Sequence, residues 1–259
     1  MPIRLGEVWA YRELLYFLVW REIRVRYKQT VLGVTWAVIQ PFFTMVVFSV
    51  FFGRLAGIET DGIPYPVFAF AALLPWQLFA FSLIESSNSI VSNQRLLTKV
   101  YFPRVILPLA SVCVGVVDFG IASGVLLGLM AYYGVTPGLA ALTAPLWVAL
   151  AVLTALAASL WLSSLNVRYR DIRYTLPFLA QLWLFCTPVA YPTSIVPDAW
   201  RPLYALNPMV GVVDGFRWAL LGAQPPSATV AVSSAVMLVV LVSGLFYFRR
   251  TERTFADIV

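Results

Sequence analysis

Six long apolar runs constrain this chain more than any other feature of its sequence. Most hold roughly 20 residues, the length that an α-helix needs to cross about 30 Å of hydrocarbon, while the third is long enough to tilt or extend beyond the bilayer and the fifth is short. The runs are 32–52, 65–84, 105–133, 145–165, 175–191 and 228–248. Charged residues make up only 12% of the chain, whereas a soluble domain has about 25%. The sequence therefore predicts a single transmembrane domain over 1–259, an all-α membrane protein with six transmembrane helices.

The distribution of basic residues predicts the topology. Segments 1–31, 85–104, 166–174 and 249–259 hold all but three of the 18 lysines and arginines, the exceptions being Arg54, Arg201 and Arg217. Such an excess marks cytoplasmic loops. We therefore expect a multi-pass protein of the cytoplasmic (inner) membrane with both termini, including the tail 249–259, in the cytoplasm. The same bias explains the net charge of +6 without a nucleic-acid partner.

The segment before the first run predicts an amphipathic helix on the membrane surface. Trp20, Ile23, Tyr27 and Val31 fall on one helical face, and Arg21, Arg24, Arg26 and Lys28 accompany it. Aromatic rings on such a helix enter the boundary of the acyl chains, while the cations meet anionic head groups. We thus expect 1–31 to lie at the interface and to contact membrane lipids.

Two predicted cytoplasmic connections hold more residues than a turn needs. Between spans two and three, Ile90, Gln94, Leu97 and Tyr101 recur at helical spacing, with Arg95, Lys99 and Arg104 around them. This pattern predicts a short surface helix. Between spans four and five, Arg168, Arg170 and Arg173 surround Asp171. From charge alone, topological anchoring and contact with a partner protein explain these loops equally well.

The predicted outer connection between spans five and six is long and broken by prolines. It includes the apolar stretch 209–221, preceded by Pro208, a residue suited to the first turn of a helix. Backbone that breaks at membrane depth must be shielded by protein or line a wet cavity. The connection therefore predicts a pair of short re-entrant helices that form the outer lip of a pathway.

Within the runs, two features have more than one interpretation. Gly120, Gly124 and Gly128 repeat every four residues, a spacing that favours close helix packing over a ligand role. Asp118 is the one carboxylate deep inside a run, and such an acid serves either function or packing. The sequence has no histidine and no second acid nearby, so it gives little support for a proton relay.

Motifs for catalysis and metal binding are absent from the sequence. It has no GxxxxGK[ST] phosphate loop, no HExxH and no GxSxG, and the two cysteines lack metal-site spacing. The chain is therefore expected not to be an enzyme and to hold no metal. Energy for any transport must come from a partner or an ion gradient.

Four stretches of the sequence resemble a known family. They are REIRVRYKQTVLGVTWAVIQP, NQRLLTKVYFPRVILPLA, LNVRYRDIRYTLPFLAQLWLFCTPVAYP and LNPMVGVVDGFRWALLG, which together cover most of the chain. In this respect the chain resembles the membrane subunit of ABC-2 type exporters, specifically the permeases for lipid-linked polysaccharide such as O-antigen, capsule or teichoic acid.

The resemblance implies a homodimer in which each copy binds a separate ATPase subunit. ATP and Mg²⁺ would then be held by that partner, and this chain would need no cofactor of its own. The main ATPase contact would comprise Arg21, Arg24, Arg26, Tyr27, Lys28, Gln94, Arg95 and Lys99. A smaller contact would comprise Arg168, Arg170 and Asp171, and an exit gate would include Asn207, Pro208 and Arg217.

A sugar polymer as cargo would give the aromatic residues, 15% of the chain, a role in the pathway. Pyranose C–H faces stack on aromatic rings, so a ring-lined path lets a polymer slide. The candidates are Trp36, Gln40 and Phe43 on the first span and Gln181, Trp183, Phe185 and Tyr191 on the fifth. Aromatic residues also form belts at both membrane interfaces, which is the alternative interpretation of each ring.

Other functions remain open at this point. A permease for a smaller amphiphile, such as a drug or lipid, would share these features. An ion-coupled carrier would require buried ionisable residues in repeated halves, and the sequence offers only Asp118. A scaffold without transport activity would leave the broken outer connection without a purpose.

Overall fold

The computed structural model describes residues 5–28, 33–252 and 255, and throughout these residues the regular structure is helical. The first half contains α1 (Leu5–Ala10), α2 (Arg12–Lys28), α3 (Trp36–Phe48), α4 (Tyr65–Ser92), α5 (Gln94–Lys99) and α6 (Ile106–Tyr133). The second half contains α7 (Ala144–Arg168), α8 (Ile172–Phe185), α9 (Arg201–Tyr204), α10 (Pro208–Leu221) and α11 (Thr229–Glu252). A π-helical segment, Ser49–Leu55, extends α3.

Hydropathy and length identify five candidate membrane spans in this part of the chain. They are Gly33–Leu55, Tyr65–Ser92, Ile106–Tyr133, Leu139–Arg168 and Thr229–Glu252. These candidate helices coincide with the first, second, third, fourth and sixth predicted spans, although residue 32 lies outside the described residues. The helix of the second span continues past its predicted end at residue 84 to Ser92, and the residues it buries there are Ile90 and three serines, whose hydroxyls donate to backbone carbonyl oxygens.

The fifth predicted span, 175–191, is not confirmed as a full crossing. Its helix, α8, has 14 residues and is therefore about 21 Å long, short of the roughly 30 Å of a bilayer core. The helix stops before Pro188, which lacks an N–H and disfavours helical backbone at Thr187. The chain then turns through 186–191, whereas apolar composition alone had predicted a continuous helix.

Helix α4 forms the centre of the bundle. Residues along its whole length are buried against its neighbours, chiefly α6 and α7. Polar contacts reinforce these interfaces, since Ser86 donates to the carbonyl oxygen of Pro108 at 2.9 Å and Asn166 to that of Ser87 at 2.9 Å. Small and polar residues of this kind let helices approach closely and hydrogen-bond across membrane interfaces.

The bundle has two ends of different composition. We call the end that carries α2, α5 and the α7–α8 turn the basic end. Here Leu18 of α2 is buried in an apolar cluster with residues of α4, α6, α7 and α11. Phe17 and Trp20 of the same helix remain exposed. Helix α2 thus has one face on the protein and an aromatic face that suits a membrane interface.

The other end, which we call the far end, contains the apolar stretch that follows the prolines. Its prediction as a helix is confirmed, because α10 begins at Pro208 and is buried along most of its length. The side chain of Asn207 caps α10 by accepting from the N–H of Met209 at 3.0 Å. Gly222 then ends the helix with a φ of +67°, a conformation that favours glycine.

Candidate functional site

A cavity of about 300 Å³ lies between α3, α4 and α6. Trp36, Gln40 and Thr44 line it from α3. The remaining walls include Arg26, Gln77, Phe81, Glu85, Asp118 and Phe119. Aromatic rings therefore alternate with amide, hydroxyl and charged groups around one space. Two predicted pathway residues, Trp36 and Gln40, face it together.

Asp118 has partners that the sequence did not reveal. Its Oδ2 lies 3.0 Å from Nη2 of Arg26, and its Oδ1 accepts a hydrogen bond from the hydroxyl of Tyr27. Burial and this hydrogen bond raise the pKa of the Tyr27 phenol, which therefore stays a donor at neutral pH. The sequence marked Asp118 only as a lone acid within an apolar run and gave no signal for its partners.

The other predicted pathway residues do not share this cavity. On α3, the Phe43 side chain is exposed, as are Gln181 and Phe185 on α8. Trp183 packs edge-on against Phe79 of α4, with ring centres 5.1 Å apart. The pathway prediction thus divides into a group at the cavity and a group on the exposed face of α8.

Tyr191, the last predicted pathway residue, lies in the turn that follows α8. Its hydroxyl donates to the carbonyl oxygen of Phe185 at 2.8 Å and lies 3.1 Å from the hydroxyl of Tyr204. The ring therefore fastens the turn to the end of α8 and to α9.

An open groove of about 560 Å³ lies on the basic end, between α2 and the junction of α4 with α5. We call it the basic groove. Its walls include Arg21, Asn93, Gln94, Arg95 and Lys99. Arg21 donates from Nη2 to the Asn93 side-chain oxygen at 2.7 Å, which joins α2 to this junction. The groove thus brings together four predicted ATPase contacts, which are Arg21, Gln94, Arg95 and Lys99.

The remaining predicted contacts do not line this groove, and two of them, Arg26 and Tyr27, contact Asp118 instead. Arg24 and Lys28 are exposed on α2, and the guanidinium of Arg24 lies over the ring of Trp20 at 5.1 Å. Arg168, Arg170 and Asp171 are exposed at the α7–α8 turn. These positions make them accessible to a protein docked on the basic end.

Arg217, predicted at an exit gate, is buried at the far end. Its guanidinium donates to the carbonyl oxygens of Phe68 at 3.1 Å, Pro188 at 2.5 Å and Val189 at 2.6 Å. Asn207 donates to the carbonyl oxygen of Cys186 at 3.0 Å. Both side chains hold the turn after α8 in place. The sequence signal for this role was a lone arginine within the apolar stretch 209–221.

Asp214 lies beside Arg217 and borders a separate far-end pocket of about 140 Å³. Both of its oxygens accept from the hydroxyl of Thr193, at 2.8 Å and 2.6 Å. No group of three potential metal ligands occurs among the residues that the structure describes.

Comparison with known proteins places this geometry in context. The family model described as "ABC-2 type transporter" matches residues 13–221. The chain is 33% identical over 252 residues to the "O-antigen export system permease protein RfbA" of Myxococcus xanthus, covering 95% of this chain and 96% of that protein. A protein of the same description from Klebsiella pneumoniae is 26% identical over 95% of both chains. The "Polysialic acid transport protein KpsM" of Escherichia coli is 24% identical over 90% of this chain and 91% of its own.

Proposed function

We propose that this chain, which belongs to the ABC-2 type transporter family, is the membrane subunit of an ATP-driven exporter of polysaccharide. The observation that carries the proposal is similarity along nearly the whole chain to permeases named for O-antigen export and polysialic acid transport. The cargo is then a glycan carried on a lipid. It moves across the cytoplasmic membrane.

The basic groove supports a role in docking the ATPase subunit. Arg21, Arg95 and Lys99 present positive charge on one open surface, and complementary charge speeds encounter and fixes orientation. The exposed α7–α8 turn on the same end provides the smaller contact. ATP and Mg²⁺ belong to the docked subunit, and this chain converts its motion into transport.

The open face of α8 supports assembly into a homodimer. Phe178, Leu179, Leu182 and Phe185 are exposed large apolar residues on a helix too short to cross the bilayer alone. In the proposed assembly, α8 and the turn after it complete the fifth crossing against a second copy. Helices α9 and α10 form the re-entrant pair at the outer side, and both termini lie in the cytoplasm.

The cavity and α8 together support a glycan pathway. Rings such as Trp36 and Trp183 provide faces for sugar stacking, and Gln40 and Gln181 provide amide groups for hydroxyls. Since the two groups occupy separate surfaces of one copy, the pathway forms where two copies bring these surfaces near each other.

The test is deletion of the gene combined with purification of the chain together with its ABC ATPase. We expect loss of surface glycan, accumulation of lipid-linked glycan inside the cell, and a stable complex with ATPase activity. Lys99→Glu should weaken the complex, most clearly at low salt where charge contacts are least screened. Arg201→Glu, at the far end, is the matched control and should leave the complex intact. Unchanged surface glycan after deletion would contradict the proposal. If deletion instead abolished efflux of a drug or a smaller lipid, the chain would be a permease for that smaller cargo.

A further inference from the structure

The contact between α2 and α6 lies deep within a membrane span. Asp118 is twelve residues after the start of α6 at Ile106, which corresponds to about 18 Å along the helix. A carboxylate at such depth is costly unless it has partners. Both of its oxygens are engaged by consecutive residues in the last turn of α2, Arg26 at 3.0 Å and Tyr27. Helix α2 therefore reaches from the basic end to a partly buried contact well along α6.

The same helix contacts the basic groove one and a half turns earlier. Arg21 donates to Asn93 at 2.7 Å, and Arg26 lies five positions further along the helix, a rise of about 7.5 Å. The guanidinium of Arg26 also lies over the ring of Phe81 on α4 at 4.2 Å. One rigid element thus links the groove to Asp118, because a continuous helix carries displacement along its length.

The end of α2 also lies against the start of α3. Gly33 has a φ of +49°, and a Cβ at this position would lie 3.2 Å from the carbonyl oxygen of Tyr27. Three residues later α3 begins with Trp36, which lines the same cavity as Arg26 and Asp118. A shift of α2 therefore acts on two walls of the cavity together.

We propose that Asp118, held by Arg26 and Tyr27, is the positioning residue through which movement of α2 is transmitted to α6 and the cavity. The proposal rests on the function proposed above. A pure packing role for Asp118 is the competing explanation. Transmission requires the charged contact during the transport cycle, whereas packing requires it for folding alone.

The test uses the complex of the full chain with its ATPase, reconstituted in vesicles with lipid-linked glycan. Glycan moved and ATP hydrolysed are measured in the same sample, and their ratio is the readout. Asp118→Asn keeps the size and an acceptor for Tyr27 but removes the charge that faces Arg26. We expect the ratio to fall at least tenfold in Asp118→Asn and in Arg26→Gln, with ATP hydrolysis within about twofold of the wild type.

The double variant and a control sharpen the result. Because both substitutions break one link, the combined variant should have the same ratio as either single variant. Arg12→Gln, an exposed arginine at the other end of α2, should leave the ratio unchanged. Tyr27→Phe removes one hydrogen bond and should lower the ratio about threefold. If Asp118→Asn does not assemble with the ATPase, the ratio in Tyr27→Phe distinguishes transmission from packing.

Two outcomes overturn the inference. One is wild-type glycan movement and wild-type ATP hydrolysis in all three variants of the contact, and the other is a loss of both in parallel, which leaves their ratio unchanged. Failure of the proposed function looks different, because the wild-type complex itself then moves no glycan.

Discussion

The guanidinium carbon of Arg217 lies 3.5 Å from the centre of the Phe68 ring, and Nε of Arg217 donates to the Phe68 carbonyl oxygen at 3.1 Å. The same guanidinium donates to Pro188 and Val189. A single side chain thus fastens α4, α10 and the turn after α8. This arrangement makes Arg217 the most connected polar group that the structure describes at the far end.

Replacing Arg217 with alanine should reduce stability strongly. Each buried carbonyl oxygen left without a donor costs about 1–3 kcal/mol, so we expect the free energy of unfolding to fall by about 3 kcal/mol or more. Thermal unfolding of the purified protein in detergent measures this. Arg201→Ala is the control, since Arg201 forms an exposed pair with Asp198 and such pairs contribute only about 0–1 kcal/mol. Equal losses in the two variants would contradict the anchoring role.

Asn207 both caps α10 and donates to the turn after α8, and two substitutions separate these roles. Asn207→Asp and Asn207→Ser keep an oxygen for the Met209 N–H but lose the donors to Cys186 and Thr187. We expect both to unfold at lower temperature than the wild type, Asn207→Asp more so, because its carboxylate faces a carbonyl oxygen. The loss should be about 1 kcal/mol, the usual net contribution of a hydrogen bond, because the bond to the Cys186 carbonyl oxygen is exposed. Wild-type stability in both variants would mean that capping alone matters.

Gly215 should tolerate no side chain, because a Cβ there would overlap with the ring of Trp147. We expect Gly215→Ala to lower the free energy of unfolding by about 1–3 kcal/mol through overpacking. Adding Trp147→Phe should restore part of the loss. Gly120→Ala on α6 is the control, since a Cβ there meets nothing within 4 Å. A stable Gly215→Ala single variant would show that Trp147 moves away at little cost.

Glu22 on α2 should make stability depend on pH. Burial, with a smaller contribution from Glu85, raises the pKa of this carboxyl in the folded protein, although Arg21 opposes the shift. Folding therefore favours the protonated acid. The stability that Glu22 contributes is fully present below the unfolded pKa of about 4.3 and is lost as pH rises through the folded pKa. We expect Glu22→Gln to unfold at a higher temperature than the wild type at pH 7, with the gain vanishing near pH 4.

Glu13→Gln supplies the comparison for this prediction. Glu13 is exposed in the first turn of the same helix, where a negative charge is favourable. Its replacement should therefore give no gain at pH 7. A gain of equal size in both variants would assign the effect to net charge instead of burial.

Hydropathy predicted most of the long apolar helices because the length and composition of a helix are local properties of the sequence. The early end of α8 also has a local cause in the sequence, namely Pro188 and the residue before it. The prediction of a span over 175–191 followed the apolar composition instead of this signal. The partners of Asp118 could not be predicted, since Arg26 and Tyr27 come near it only through the packing of α2 on α6.

The candidate site likewise contains some features that the local sequence predicts and others that depend on how the helices pack. Helical spacing placed Gln94, Arg95 and Lys99 together, and the basic groove gathers them with Arg21. Spacing could not determine which side of α3 or α8 faces the bundle, so it could not separate Trp36, at the cavity, from Phe43, which is exposed.

The burial of α4 has a consequence for how lipid acts on this protein. Its most apolar stretch is 78% buried within the protein, against 17–28% for the other four candidate spans. Lipid composition and bilayer thickness can therefore influence α4 mainly through its neighbours. A change of host membrane would strain the outer helices first, and the central helix would respond only as far as they shift.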